Sequence, residues 1–63
     1  MKKFRFNVKS YYFNNSDYAE YDVYSIFVES LEDAKKYAEK YAKELQEESN
    51  NTILYFIEDV WEV

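Results

Sequence analysis

A chain of 63 residues has room for one domain and sits near the size at which a protein buries enough surface to fold unaided. With neither cysteine nor histidine, disulfides, Cys-ligated zinc and the usual general base are excluded, leaving carboxylates, lysines, phenols and hydroxyls for any chemistry. Thirteen acidic against eight basic residues, a formal net charge of −5, argue against nonspecific attraction to nucleic acid or anionic membrane and for a partner with a basic surface.

The first predicted element is a strand over Lys2–Tyr12. Phe4, Phe6, Val8, Ser10 and Tyr12 alternate with Lys3, Arg5, Asn7, Lys9 and Tyr11, the period-two pattern of a half-buried strand. Asn14-Asn15-Ser16-Asp17 reads as a hairpin turn that uses asparagine where glycine is commoner; the chain contains no glycine. A second strand is predicted from about Tyr18 to Val28. Its alternation fails, because Tyr21, Val23, Tyr24, Ile26, Phe27 and Val28 place apolar groups on both faces.

Ser30 to Glu48 carries the one clear helical period. Ser30 is placed to cap the backbone N–H of Asp33, and Glu32 and Asp33 set negative charge at the positive end of the helix dipole. Leu31, Ala34, Ala38, Tyr41, Ala42 and Leu45 recur at three- and four-residue spacing as one apolar stripe, with Tyr37 at its border. Three alanines in that stripe allow close approach to a sheet. Ser49-Asn50-Asn51 is predicted to stop the helix, asparagine being next to glycine in tolerating the left-handed conformation. Thr52–Val63 then reads as a third strand. Its Ile53–Ile57 run is apolar on both faces, and Val60, Trp61 and Val63 follow among Glu58, Asp59 and Glu62.

These elements predict a single α+β domain over residues 1–63, ββαβ in order, one helix on a three-stranded antiparallel sheet. A right-handed crossover from strand two through the helix makes strand three parallel to strand two. Placing strand one between them gives the order 2-1-3, preferred here over 1-2-3. One helix covers one face of such a sheet, so apolar groups of strands two and three are left for something else to cover. At about 25 cal/mol per Å², two or three such side chains represent a few kcal/mol, which matters in so small a domain. Tyrosines that tolerate half-exposure, with the terminal aromatic groups folded over the sheet, account for this surface without a partner; otherwise a second copy of the chain, as a homodimer, or another protein is the expected cover.

No pattern of catalytic, cofactor-binding or metal-binding residues emerges, and binding rather than catalysis is the expectation. Asp17, Glu20 and Asp22, and separately Glu58, Asp59 and Glu62, are oxygen clusters without calcium-loop spacing, and read as solvated charge. The Lys3, Arg5, Lys9 and Tyr11 face, with Phe13 beyond it, interleaves basic and aromatic groups as a single-strand nucleic-acid platform does; Glu20 and Asp22 are expected to lie opposite and neutralise it. Aromatic groups with a polar tip supply most interface anchors, which singles out Tyr21, Tyr24, Tyr55 and Trp61, with Glu58, Asp59 and Glu62 adding charge selectivity.

Met1-Lys2-Lys3 opens like a signal peptide, but Arg5, Asn7 and Lys9 interrupt the apolar run that would follow, and no window spans a membrane. An intracellular, cytoplasmic location is expected. The Asn, Lys, Tyr, Phe, Ile and Glu bias is of the kind AT-rich genomes produce. In size, charge sign and Tyr/Asn-rich composition the chain resembles the small acidic proteins with which viruses and mobile elements block nucleic-acid-handling enzymes: anti-CRISPR, anti-restriction and glycosylase-inhibitor classes. That resemblance implies an inhibitor or adaptor whose acids imitate phosphates.

Overall fold

The computed structural model describes residues 1–14 and 19–63 in full. It consists of β1 (Lys2–Tyr12), β2 (Asn15–Val28), α1 (Leu31–Glu48) and β3 (Ile53–Glu62). The sheet has the order β2-β1-β3, with β1 antiparallel to both neighbours, as the sequence predicts. The strand with the cleanest alternation is the central one.

Alternation in β1 becomes a two-sided environment. Phe4, Phe6, Val8 and Ser10 are buried beneath the helix, while Lys3, Arg5, Asn7, Lys9 and Tyr11 point to the other face and are only half-buried. Above Phe6 lies Ala38, and both are fully buried. The small alanine side chains let the helix sit close, and Phe6 fills the space beneath with aromatic neighbours. Its ring centroid is 5.5 Å from Tyr24, 5.9 Å from Tyr41 and 6.1 Å from Tyr37. Burying one such Phe contributes about 1.5–3 kcal/mol, and favourable ring geometry adds about 0.5–1.5 kcal/mol per pair.

Both helix ends follow from local chemistry. Ser30 Oγ accepts from Asp33 N–H at 3.2 Å. At the other end Asn50 and Asn51 hold φ values of 57° and 61°, the left-handed region. Asn50 N–H donates to Glu47 C=O and Asn51 N–H to Gln46 C=O, both at 3.0 Å, the reciprocal pair of a Schellman motif. Ser49 Oγ donates to Gln46 C=O at 2.7 Å and accepts from Ile53 N–H at 3.2 Å, tying the helix stop to the first residue of β3.

Two boundaries differ from expectation. β2 begins at Asn15, ahead of the predicted Tyr18, and Asn15 pairs with Tyr12 across a turn of Phe13 and Asn14. An asparagine-rich stretch marks a turn without fixing its register, and a two-residue loop suffices to close a hairpin. The side chains of Asn15, Ser16 and Asp17, which the sequence reading placed in that turn, lie outside the described residues. β3 ends within one residue of prediction at each end.

A bulge in β3 has larger consequences. Asn7 pairs with Asp59 but Val8 with Ile57, so Glu58 is an extra residue and the strand's facing reverses there. Asp59 Oδ1 accepts from Val60 N–H at 2.9 Å beside it. Ile53, Tyr55 and Ile57 before the bulge, and Val60 after it, therefore all face the helix, while Leu54, Phe56 and Trp61 face away.

Candidate interaction surfaces

The two faces of the sheet present different chemistry. On the helix-covered face, β2 contributes Glu20, Asp22, Tyr24 and Ile26, opposite Ser10, Val8, Phe6 and Phe4 respectively. The last turn of α1 comes down beside β3 at the Tyr12 end of this face. There a cleft of about 130 Å³ is lined by Ser10, Tyr12, Glu20, Asp22, Tyr24 and Tyr55, with Leu45 and Ile53 along its wall.

Negative potential gathers at that cleft. Burial pushes the Tyr55 phenol above its ordinary value, and the carboxylates of Glu48, Asp22 and Glu20 push it further in the same direction. The Tyr24 phenol is raised too, first by burial, then by Tyr41, whose ring is 4.9 Å away, and by Asp22. Glu44, Glu47 and Glu48 stand together in the last turns of α1, where the helix dipole is negative, and the final turn contains no basic residue.

On the open face, Tyr21, Val23 and Phe27 of β2 lie opposite Lys9, Asn7 and Lys3, while Phe56, Asp59 and Trp61 of β3 lie opposite Lys9, Asn7 and Arg5. A cationic central row thus runs between two largely aromatic borders. Tyr21 and Phe27 are 61% and 63% exposed and Phe56 is 47% exposed, whereas Trp61 is half-buried. Lys9 Nζ lies 5.8 Å from the centroid of the Tyr21 ring, and Tyr11 stacks on Phe56 at 5.5 Å with ring planes 15° apart. Midway along the row, Asn7 Oδ1 is enclosed and has no hydrogen-bond partner among the described residues.

The seven residues singled out from sequence fall in separate places. Tyr24 and Tyr55 meet at the cleft, half-buried. Tyr21 and Trp61 share the open face but on opposite borders, Glu58 and Asp59 mark the bulge on the outer strand, and Glu62 lies opposite Phe4 on the helix-covered face. Glu20 and Asp22, expected to neutralise the basic row, instead face the helix side, because the residues opposite Lys9 and Arg5 are Tyr21 and Ser25. Sequence reasoning passed over Phe27 and Phe56 as open-face groups. Register alone assigns them. Among the described residues no group of three or more acids is arranged to hold a metal ion; Asp17 lies outside them. No helix among the described residues is long and apolar enough to cross a membrane. Comparison with known proteins finds no matching family model, no matching curated protein and no matching solved structure.

Proposed function

We propose that this chain acts by binding rather than catalysis, as an intracellular inhibitor or adaptor that docks its acidic, helix-bearing side on a protein with a basic surface. The observation that carries the reading is that Glu20 and Asp22 of β2 line one cleft with Tyr24 and Tyr55, with Glu48 of α1 close enough to raise the Tyr55 phenol further. A helix that ends in Glu44, Glu47 and Glu48 without a compensating cation sets like charge against its own dipole. Such a local conflict is tolerated where the charge serves a partner. Tyr24 and Tyr55 give the cleft flat aromatic walls, against which the stem of a lysine or the plane of an arginine packs while its charge meets the carboxylates. Nucleic-acid-handling enzymes present such basic surfaces, which fits the inhibitor classes that the composition resembles, including those encoded by viruses and mobile elements.

An arginine- and lysine-rich 12-residue peptide provides the test, followed by amide chemical shifts on the labelled protein at two salt concentrations. The expected result is a set of shifts centred on Tyr24, Tyr55 and Glu48, weakened about tenfold or more by salt and by the combined Glu20→Gln, Asp22→Asn and Glu48→Gln variant. Shifts spread evenly over all exposed acids, or unchanged in that variant, would remove the cleft from consideration.

A further inference from the structure

We infer that the open face of the sheet is a second, separate binding surface, and that its ligand is single-stranded nucleic acid. The net charge of the chain argues the other way, so the local arrangement decides. Three of the eight basic residues, Lys3, Arg5 and Lys9, stand in one row on the central strand. Same-face positions on a strand repeat at about 7 Å, a spacing on the order of that between successive phosphates in an extended single strand. Asp59 is the acid that pairing sets beside this row among the described residues, one carboxylate against three cations. Glu20 and Asp22 are turned to the other face.

Aromatic groups complete the match. Tyr21 and Phe27 on one border are well exposed, and on the other lie Phe56, stacked on Tyr11, and the half-buried Trp61, so aromatic groups flank the cations on both sides. Unpaired bases stack on such rings whatever their sequence, while the backbone follows the basic row. A second copy fits poorly, since pairing two open faces sets one row of cations against another. An acidic polypeptide would use the cations and leave the aromatic borders unmatched. Duplex DNA holds its bases inside the stack, out of reach of a flat sheet.

The assay is fluorescence anisotropy of the full chain with a labelled 12-nucleotide oligothymidine and a mixed-sequence RNA of equal length, from 20 to 200 mM salt. Binding is expected, with a slope of log affinity against log salt of about −2, the value for roughly three displaced counterions on a single strand. Tyr21→Ala and Phe27→Ala alter exposed side chains and should leave the thermal midpoint nearly unchanged while weakening binding about 5- to 150-fold each. Lys9→Ala should weaken it and flatten the salt slope, whereas Glu20→Gln, on the opposite face, should not weaken it. Four results would overturn the assignment: no binding at 20 mM salt by the folded protein, equal affinity for a duplex of the same length, affinity unchanged in the Tyr21 and Phe27 variants, or poly-L-glutamate held as tightly as the oligonucleotide. The last would give the face to an acidic protein instead.

Discussion

Tyr55 shows how one residue ties stability to the acidic surface. Its phenol is held above its usual range by burial and by Glu48, Asp22 and Glu20, so the folded chain keeps this proton at a pH where the unfolded chain has lost it. The resulting contribution is complete below about pH 10, the ordinary value for tyrosine, and is lost as pH rises through the higher folded value. Tyr24 acts in the same direction. Urea unfolding followed from pH 8 to 11.5 should therefore show midpoints falling above about pH 10. The Tyr55→Phe variant should fall less steeply, because one of the groups that ionises first in the unfolded chain is gone. An unchanged slope in that variant would place the alkaline loss elsewhere.

At the scale of the element, α1 is well specified at its start and poorly matched electrostatically at its end. Ser30, Glu32 and Asp33 complement the positive terminus, whereas Glu47 and Glu48 oppose the negative one and the Schellman turn through Asn50 and Asn51 closes the helix without charge compensation. Glu47→Lys should therefore stabilise the fold by about 0.3–1 kcal/mol at low ionic strength, and less in high salt. In a domain of this size that corresponds to a rise in thermal midpoint of roughly 2–8 °C, readable by circular dichroism. Under the proposed function the same substitution should weaken binding of the basic peptide, so stability and binding should move in opposite directions. A destabilised Glu47→Lys protein would show that Glu47 makes a favourable contact outweighing the dipole.

The whole molecule is a sheet with two chemically distinct sides, one bearing a helix and most of the carboxylates, the other a basic row between aromatic borders. That division bears on self-association. Two open faces brought together would oppose Lys3, Arg5 and Lys9 with their own copies, and the acids near Glu58 and Glu62 on the outer strand discourage edge-to-edge pairing. Light scattering on the eluting protein should give the monomer mass of 7.7 kDa across a tenfold concentration range at low salt. A persistent dimer that disperses when Phe27 or Phe56 is replaced by a charged residue would assign the aromatic borders to a second copy.

Much of this architecture is legible in the sequence by itself. The period-two alternation of β1, the alanine stripe of α1, the Ser30 cap and the asparagine stop are local signals, written within a few residues of where they act. The order β2-β1-β3 is the preferred one from sequence, because a crossover makes β3 parallel to β2 and placing β1 between them makes every neighbour antiparallel, but only the structure decides it against 1-2-3. What the sequence left open are matters of register. The bulge at Glu58 turns Val60 toward the helix and Trp61 outward, and the hairpin pairing sends Glu20 and Asp22 to the helix side and Tyr21 to the open side. In a strand that is apolar on both faces, alternation carries no information about which face is which, and one extra residue reverses every side chain beyond it. Only the pairing of β1 with both neighbours decided that the cations stand among aromatic rings rather than among acids.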